Sequence, residues 1–104
     1  MRASEDLLAY IKKAGLPAIL TGDLNAEPES EEIRMLASTL TDATARLGGT
    51  FHGFGRKTGD AAIKIDYILT SLPADISRAY AIEDQPADGV YISDHKPVVA
   101  FVDL

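Results

Sequence analysis

Residues 63–70 have the sequence Ile-Lys-Ile-Asp-Tyr-Ile-Leu-Thr, and this stretch decides the fold. Large apolar side chains at the odd positions alternate with a second set that includes Lys64, Asp66 and Thr70, which is the two-residue period of a β-strand. Asp66 interrupts an otherwise apolar strand, and a carboxylate in such a place is rarely buried without a partner. The stretch therefore predicts a strand in which Asp66 faces a cation or a histidine.

Outward from this strand, the sequence predicts two helices and three further strands. Ser4 can cap a first helix that Gly15 and Pro17 end, and Ser30 can cap a second helix with acidic residues in its first turn. Short apolar runs predict the other strands, at 18–21, 76–82 and 98–102. This order of elements predicts an α+β fold, with one mixed β-sheet and helices on one face.

The composition describes one globular domain, residues 1–104. The chain has 10 Lys+Arg against 16 Asp+Glu and a net charge of -6, which argues against a simple electrostatic DNA binder. No Cys is present, so disulfides and thiolate metal sites are excluded. We expect no membrane partner, because no window approaches the roughly 20 apolar residues of a membrane span and no signal-peptide pattern is present. The compartment stays open, with the cytoplasm slightly favoured.

A glycine-rich segment, residues 41–62, predicts a long surface loop. His52 lies within it, and four basic side chains surround it in the sequence: Arg46, Arg56, Lys57 and Lys64. These cations suit either a local phosphate site or an ordinary solvated loop. For His52 a structural role in the loop is favoured over a catalytic one.

Asp23 and Asn25 stand at the end of the first predicted strand. Because they are two residues apart, their side chains point the same way in an extended backbone. The carboxylate suits a divalent cation, and the amide suits a phosphate oxygen. A turn is the alternative interpretation, since Asp-x-Asn followed by Glu27-Pro28 is also typical of turns.

Asp94 and His95 lie in the short connection before the last predicted strand. We expect a hydrogen bond from His95 to Asp66 that orients the imidazole and raises its pKa. The ring would then stay protonated near a phosphate and stabilise developing negative charge. The alternative is a surface histidine without a catalytic role.

Three segments in this order, with a fourth between the first two, resemble a known family. They are Gly-Asp-Leu-Asn at 22–25, Thr-Phe-His-Gly at 50–53, Ile-Asp-Tyr-Ile-Leu at 65–69 and Ser-Asp-His-Lys-Pro at 93–97. Together they resemble the C-terminal half of the endonuclease/exonuclease/phosphatase superfamily, which has the deoxyribonuclease I-like fold of two packed sheets. The resemblance covers essentially the whole chain.

The resemblance implies a role for each of five residues. Asp23 would lie at the metal, Asn25 would contact the scissile phosphate, and Asp94 would lie beside the metal and the attacking water. His95 would be the catalytic histidine that contacts the phosphate, and Asp66 its carboxylate partner. The implied reaction is Mg2+- or Mn2+-dependent hydrolysis of a phosphoester by in-line attack of water.

The family pattern also includes an earlier half with a metal-binding Glu, so we expect this chain to be the C-terminal half of such a domain, with an incomplete site. The substrate would be a small phosphoester or a nucleic acid, and nuclease and phosphatase activities both stay open. An uncovered apolar sheet face predicts a partner, either a second copy in a homodimer or the missing N-terminal half. The alternative function is a catalytically inactive remnant that acts as a binding or self-assembling domain. A plain α+β interaction domain is a third interpretation.

Overall fold

The computed structural model describes residues 2–57, 62–83 and 93–104. The described chain combines helices with antiparallel strands, so the predicted α+β class is confirmed. In chain order the elements are α1 (Arg2–Ala14), β1 (Ile19–Asp23), α2 (Glu31–Thr39), β2 (Thr41–Asp42), β3 (Asp66–Thr70), a 3-10 helix (Ile76–Arg78), β4 (Tyr80–Ala81) and β5 (Val98–Val99).

The predicted strand around Asp66 is the centre of the main sheet, whose strand order is β1-β3-β2. A separate two-stranded sheet consists of β4 and β5. Every strand pair among the described residues is antiparallel, whereas a mixed sheet was expected. Both neighbours of β3 run opposite to it, so the described pairs all have the perpendicular hydrogen bonds of antiparallel ladders.

The core lies between the two helices and one face of the main sheet. Tyr67 and Leu69 of β3 are buried there, at 1% and 0% exposure, against the apolar face of α2. Leu20 of β1 is directly opposite Leu69 and packs on the same side. Burying one such leucine contributes roughly 1.5 to 3 kcal/mol. Both helices pack on this core, so the expectation of helices on one face is confirmed.

The helix ends follow the sequence at Ser30 and Gly15 and differ at Ser4. Ser30 caps α2 and accepts a hydrogen bond from the N–H of Ile33. Gly15, with a φ of 67°, follows α1 in the left-handed conformation that ends helices. Ser4 was expected to cap α1 but lies inside it, because the helix begins at Arg2. Its buried hydroxyl donates instead to the carbonyl of Glu32 (3.5 Å), which links α1 to α2.

The predicted strand at 76–82 is wrong over its first half. Asp75 accepts hydrogen bonds from the N–H and hydroxyl of Ser77 (3.2 and 2.6 Å), and this cap starts the 3-10 helix in place of a strand. Only β4 of the predicted strand pairs with β5. The last predicted strand is also shorter than expected, and Val102 forms an isolated bridge with Ala74.

The predicted loop at 41–62 begins with β2, so the prediction is wrong at its N-terminal end. Thr41 and Asp42 pair with Thr70 and Leu69 of β3. The rest of the loop is irregular where it is described, and Gly59 lies outside the described residues.

The side of β1 and β3 that faces away from the helices is called the open face here. It consists of Ile19, Thr21 and Asp23 of β1 with their partners Asp66, Ile68 and Thr70 of β3. Ile19 is 49% exposed, which fits the expected uncovered apolar face, but what packs on it stays a prediction. Among the described residues, no helix has the length and apolar composition needed to cross a bilayer.

Candidate functional site

Two carboxylates meet on the open face. Asp23 is the last residue of β1 and Asp66 the first of β3, and the register places them directly opposite each other. Gly22 precedes Asp23 with a φ of 143°, a backbone conformation that favours glycine. Like charges directly opposite across a strand pair are destabilising. The pair therefore needs a neighbouring cation.

His95 supplies the group between these carboxylates. Its Nδ1 lies 2.7 Å from Oδ2 of Asp66, and its Nε2 lies 3.7 Å from Oδ2 of Asp23. The Asp66 side chain is 16% exposed and the His95 side chain 25%. The hydrogen bond expected between Asp66 and His95 is thus present. One imidazole bridges the two strands through opposite ring nitrogens.

The pKa of His95 is raised above its ordinary value. The hydrogen bond to Asp66 is the largest cause, burial opposes it, and the negative charges of Asp66, Asp94 and Asp23 add to it. The ring therefore favours its charged form, in which both nitrogens are donors. An imidazolium in this position offsets the repulsion between the two opposed carboxylates.

Asp94 approaches the same ring from the neighbouring position in the chain. Its Oδ1 lies 3.7 Å from Nε2 of His95, and its side chain is 38% exposed. Nε2 thus has the carboxylates of Asp23 and Asp94 at the same distance, while Nδ1 is held by Asp66. Three of the five residues singled out in the sequence surround the fourth.

Asn25 is connected to this group through its backbone. Its N–H donates to Oδ1 of Asp23 (2.8 Å), and its φ of 51° places it in the left-handed region. The turn interpretation of Asp23-x-Asn25 is therefore correct for the backbone. The residue itself is exposed, so its amide is accessible from solvent.

The loop at 50–53 holds the segment that contains His95. The N–H groups of His52 and Gly53 donate to the carbonyl of Asp94 (2.9 and 3.1 Å). The Phe51 ring packs edge-on against the His95 ring, with the centroids 5.1 Å apart. The sequence reasoning gave no role to Phe51, and the only available signal was its place in the Thr-Phe-His-Gly segment.

Two of the four basic residues near the loop have partners outside this group. Lys64 is 5% exposed and pairs with Asp42 (2.9 Å), while Arg46 donates to the carbonyl of Ala79 (3.1 Å). These two cations therefore have structural roles, and a phosphate site at the other two, Arg56 and Lys57, stays a prediction. Nδ1 of His52 accepts the N–H of Gly55 (3.0 Å), in agreement with the expected role in the loop.

The donor atoms of the site are of the kind that holds a divalent cation. Asp23, Asp66 and His95 each offer a ligand atom, and these atoms lie within 4.8 Å of one another. Carboxylate oxygens suit Mg2+ and Mn2+, whereas Nδ1 of His95 is already engaged by Asp66. The exposed carboxylate of Asp23 therefore fits a metal better than the imidazole does.

A cavity of about 360 Å³ lies beside the carboxylates on the open face. It is lined by residues of β1 and β3 and by the segment that follows His95, including Thr21, Asp66, Ile68, Lys96 and Pro97. Lys96 is held at its rim by an ion pair with Glu83 (2.9 Å). The cavity therefore gives a small ligand access to Asp66 from the open face.

Comparison with known proteins identifies the family. Among solved structures, an endonuclease/exonuclease/phosphatase from Bacteroides vulgatus superposes with a TM-score of 0.75 at 23% identity, over 97% of this chain and 42% of that one. A functionally unknown conserved protein from Enterococcus faecalis V583 gives a TM-score of 0.73 at 29% identity, over 86% of this chain and 37% of that one. The chain thus spans less than half the length of either structure.

None of the curated proteins matches the sequence. The model of the Endonuclease/Exonuclease/phosphatase family matches residues 2–95, which is most of the chain. The chain therefore belongs to the endonuclease/exonuclease/phosphatase family.

Proposed function

We propose that the group around His95 is part of the active site of a metal-dependent phosphoester hydrolase. Membership of the family suggests phosphoester hydrolysis as the general class of reaction. The observation that supports the finer proposal is the position of the His95 ring, bonded to Asp66 at 2.7 Å and flanked by Asp23 and Asp94. Catalytic groups of this kind are commonly found where charged neighbours shift a pKa.

In the proposed mechanism, Asp23 and Asp94 would hold a Mg2+ or Mn2+ ion. A bound divalent ion supplies Lewis-acid stabilisation of a phosphoryl oxygen and lowers the pKa of a bound water. Asp94 orients the attacking water for in-line attack on phosphorus. Both side chains are accessible enough to accept a hydrated ion, with 46% and 38% of their surface exposed.

His95 and Asn25 bind the phosphate in this proposal. The charged His95 ring donates from Nε2 to a phosphoryl oxygen, and the Asn25 amide donates to a second one. Asp66 keeps the ring in one orientation and favours its charged form. The proton on Nε2 is thereby placed on the side of the ring that faces Asp23 and Asp94.

The proposed substrate is a small phosphoester or a nucleic acid. The net charge of -6 gives no general attraction to a polyanion, which favours a small phosphoester. The two similar solved structures are more than twice as long as this chain, so surface outside it can reverse that preference. Activity toward a diester or a monoester distinguishes nuclease-like from phosphatase-like chemistry.

The test is hydrolysis of bis-p-nitrophenyl phosphate and p-nitrophenyl phosphate with Mg2+ or Mn2+. We expect metal-dependent turnover by the wild type and a loss on the order of 10²- to 10⁴-fold in His95→Ala. Asp103→Asn is the control, because Asp103 is an exposed carboxylate near the C-terminus. Turnover that survives in His95→Ala contradicts the proposal. Absence of turnover in the folded wild type means that these residues form only half of a site, which then needs the expected N-terminal half.

Metal binding is tested independently of activity. Mn2+ broadens the NMR signals of nuclei close to it, so titration should broaden the amide signals of Asp23, Asp94 and His95 first. Asp23→Asn should shift this broadening to higher Mn2+ concentration, and Asp103→Asn should not. Broadening centred elsewhere, or equal broadening in Asp23→Asn, argues against a metal at these carboxylates.

A further inference from the structure

Thr50 lies behind the site and is fully buried. Its Oγ1 accepts hydrogen bonds from the N–H groups of Ile65 (3.1 Å) and Asp66 (3.2 Å). Its carbonyl accepts the N–H of Lys96 (2.7 Å), and its own N–H donates to the carbonyl of Ile63 (2.8 Å). One residue therefore bonds to the backbone at Asp66 and to the residue that follows His95.

The geometry points to Thr50 as a positioning residue for the Asp66–His95 pair. This inference rests on the proposed function, since it concerns the same two side chains. The hydroxyl fixes the start of β3, where the Asp66 side chain leaves the strand, and the carbonyl fixes the segment of His95. Thr50 thus holds the backbone on both sides of the 2.7 Å hydrogen bond, at Asp66 and next to His95.

The Thr50 hydroxyl is also the acceptor for two backbone donors, the buried N–H of Ile65 and the partly buried N–H of Asp66. The N–H groups of Ile65 and Asp66 both bond to this one oxygen. A buried N–H that loses its acceptor is costly, so the backbone moves when the hydroxyl is removed. Movement at this point rotates the Asp66 carboxylate relative to the His95 ring, which packs against Phe51.

Thr50→Val removes the hydroxyl and keeps the shape of the side chain. Thr50→Ser keeps the hydroxyl and is expected to rescue the site. Thr44→Val is the matched control: Thr44 is also fully buried, and its hydroxyl donates to Asp42 (2.6 Å), a residue outside the site. All three proteins are studied without metal or substrate, so the result does not depend on whether the chain is active.

The readout is the low-field NMR signal of the His95 Nδ1 proton, which a short hydrogen bond to Asp66 protects from exchange with water. We expect this signal to be lost in Thr50→Val and kept in Thr50→Ser and Thr44→Val. A signal that persists in Thr50→Val overturns the inference. Loss of the signal in Thr44→Val as well would show a general effect of destabilisation and also overturns it.

If Thr50→Val does not fold, amide exchange in the wild type decides. The N–H groups of Ile65, Asp66 and Lys96 all bond to Thr50, so they should exchange at rates within about tenfold of one another. Exchange of the Lys96 amide on the order of 10³-fold faster than the Asp66 amide shows that the two segments open separately, and it overturns the inference.

Discussion

Substitution of Gly49 by alanine should destabilise the fold, whereas the same substitution at the neighbouring Gly48 should be tolerated. A Cβ on Gly49 would lie 2.4 Å from Cβ of Ala62, 2.5 Å from its carbonyl carbon and 2.6 Å from its carbonyl oxygen. Carbon atoms pack at about 3.5 to 4.0 Å, so the two backbones must separate by roughly 1 Å. A Cβ on Gly48 meets nothing within 4 Å. The two neighbouring glycines therefore form a matched pair.

The cost of Gly49→Ala follows from this contact. Two of the three atoms that the new methyl meets are backbone atoms, so rotation of a side chain cannot relieve the clash. Overpacking of this kind typically costs roughly 1 to 3 kcal/mol. In a domain of about 100 residues, 1 kcal/mol lowers the Tm by roughly 4 to 8 °C. We expect a fall in Tm of roughly 5 to 20 °C.

Thermal unfolding followed by circular dichroism measures this difference. Gly48→Ala should stay within about 0.5 kcal/mol of the wild type, because an exposed position away from such contacts is usually tolerant. Since Thr50 follows directly, Gly49→Ala should also weaken the low-field signal of His95. Equal Tm values for Gly48→Ala and Gly49→Ala would refute the reasoning from the close contact with Ala62.

Three further predictions concern the charges and the open face. The raised pKa of His95 means that its charged form stabilises the fold fully below pH 6.5, and this contribution is lost as the pH rises through the folded pKa. In urea unfolding with EDTA, the free energy of unfolding of the wild type should exceed that of Asp66→Asn, and this difference should decrease as the pH rises from 6.5 through the folded pKa of His95. Parallel pH profiles of the two proteins would contradict this prediction. Lys64→Met should cost about 3 kcal/mol in the same assay, because it leaves the Asp42 carboxylate, 12% exposed, without its cation. Lys96→Met, which breaks the solvent-exposed pair with Glu83, should cost about 1 kcal/mol or less, and similar losses in the two variants would refute the distinction. For the expected homodimer, sedimentation velocity should show a dimeric wild type at high concentration and a monomeric Ile19→Glu, since Ile19 is 49% exposed on the open face. A folded, monomeric wild type rules the homodimer out.

The sequence predicted the parts of the fold that depend on residue periodicity. The alternation in residues 63–70 identified the buried face of Tyr67 and Leu69, and it placed Asp66 on the other face. Hydrophobic burial fixes this pattern strongly, because a shift of one residue would exchange the two faces of the strand. The histidine partner of Asp66 followed from the same argument about a carboxylate in an apolar strand.

Local hydrogen bonds that compete with the predicted elements explain the errors. The side chain of Asp75 caps Ser77 and converts an apolar run into a 3-10 helix, although Ile76 and Ile82 have high strand propensity. Serine is a residue type that often caps helices, but packing between α1 and α2 gives the Ser4 hydroxyl a different partner. Such choices depend on contacts from distant parts of the chain, which periodicity does not record.

The direct opposition of Asp23 and Asp66 could not be predicted, because register depends on hydrogen bonds between two strands that are far apart in the sequence. The two opposed carboxylates repel each other, which a neutral pair at these positions would not do. The ring of His95 offsets that cost only while it is charged, and Thr50 and Phe51 hold the segments that keep it there. A cation bound at Asp23 would offset the same cost from the solvent side. The unfavourable pair is thus the physical reason to expect that this corner of the sheet binds a positive charge.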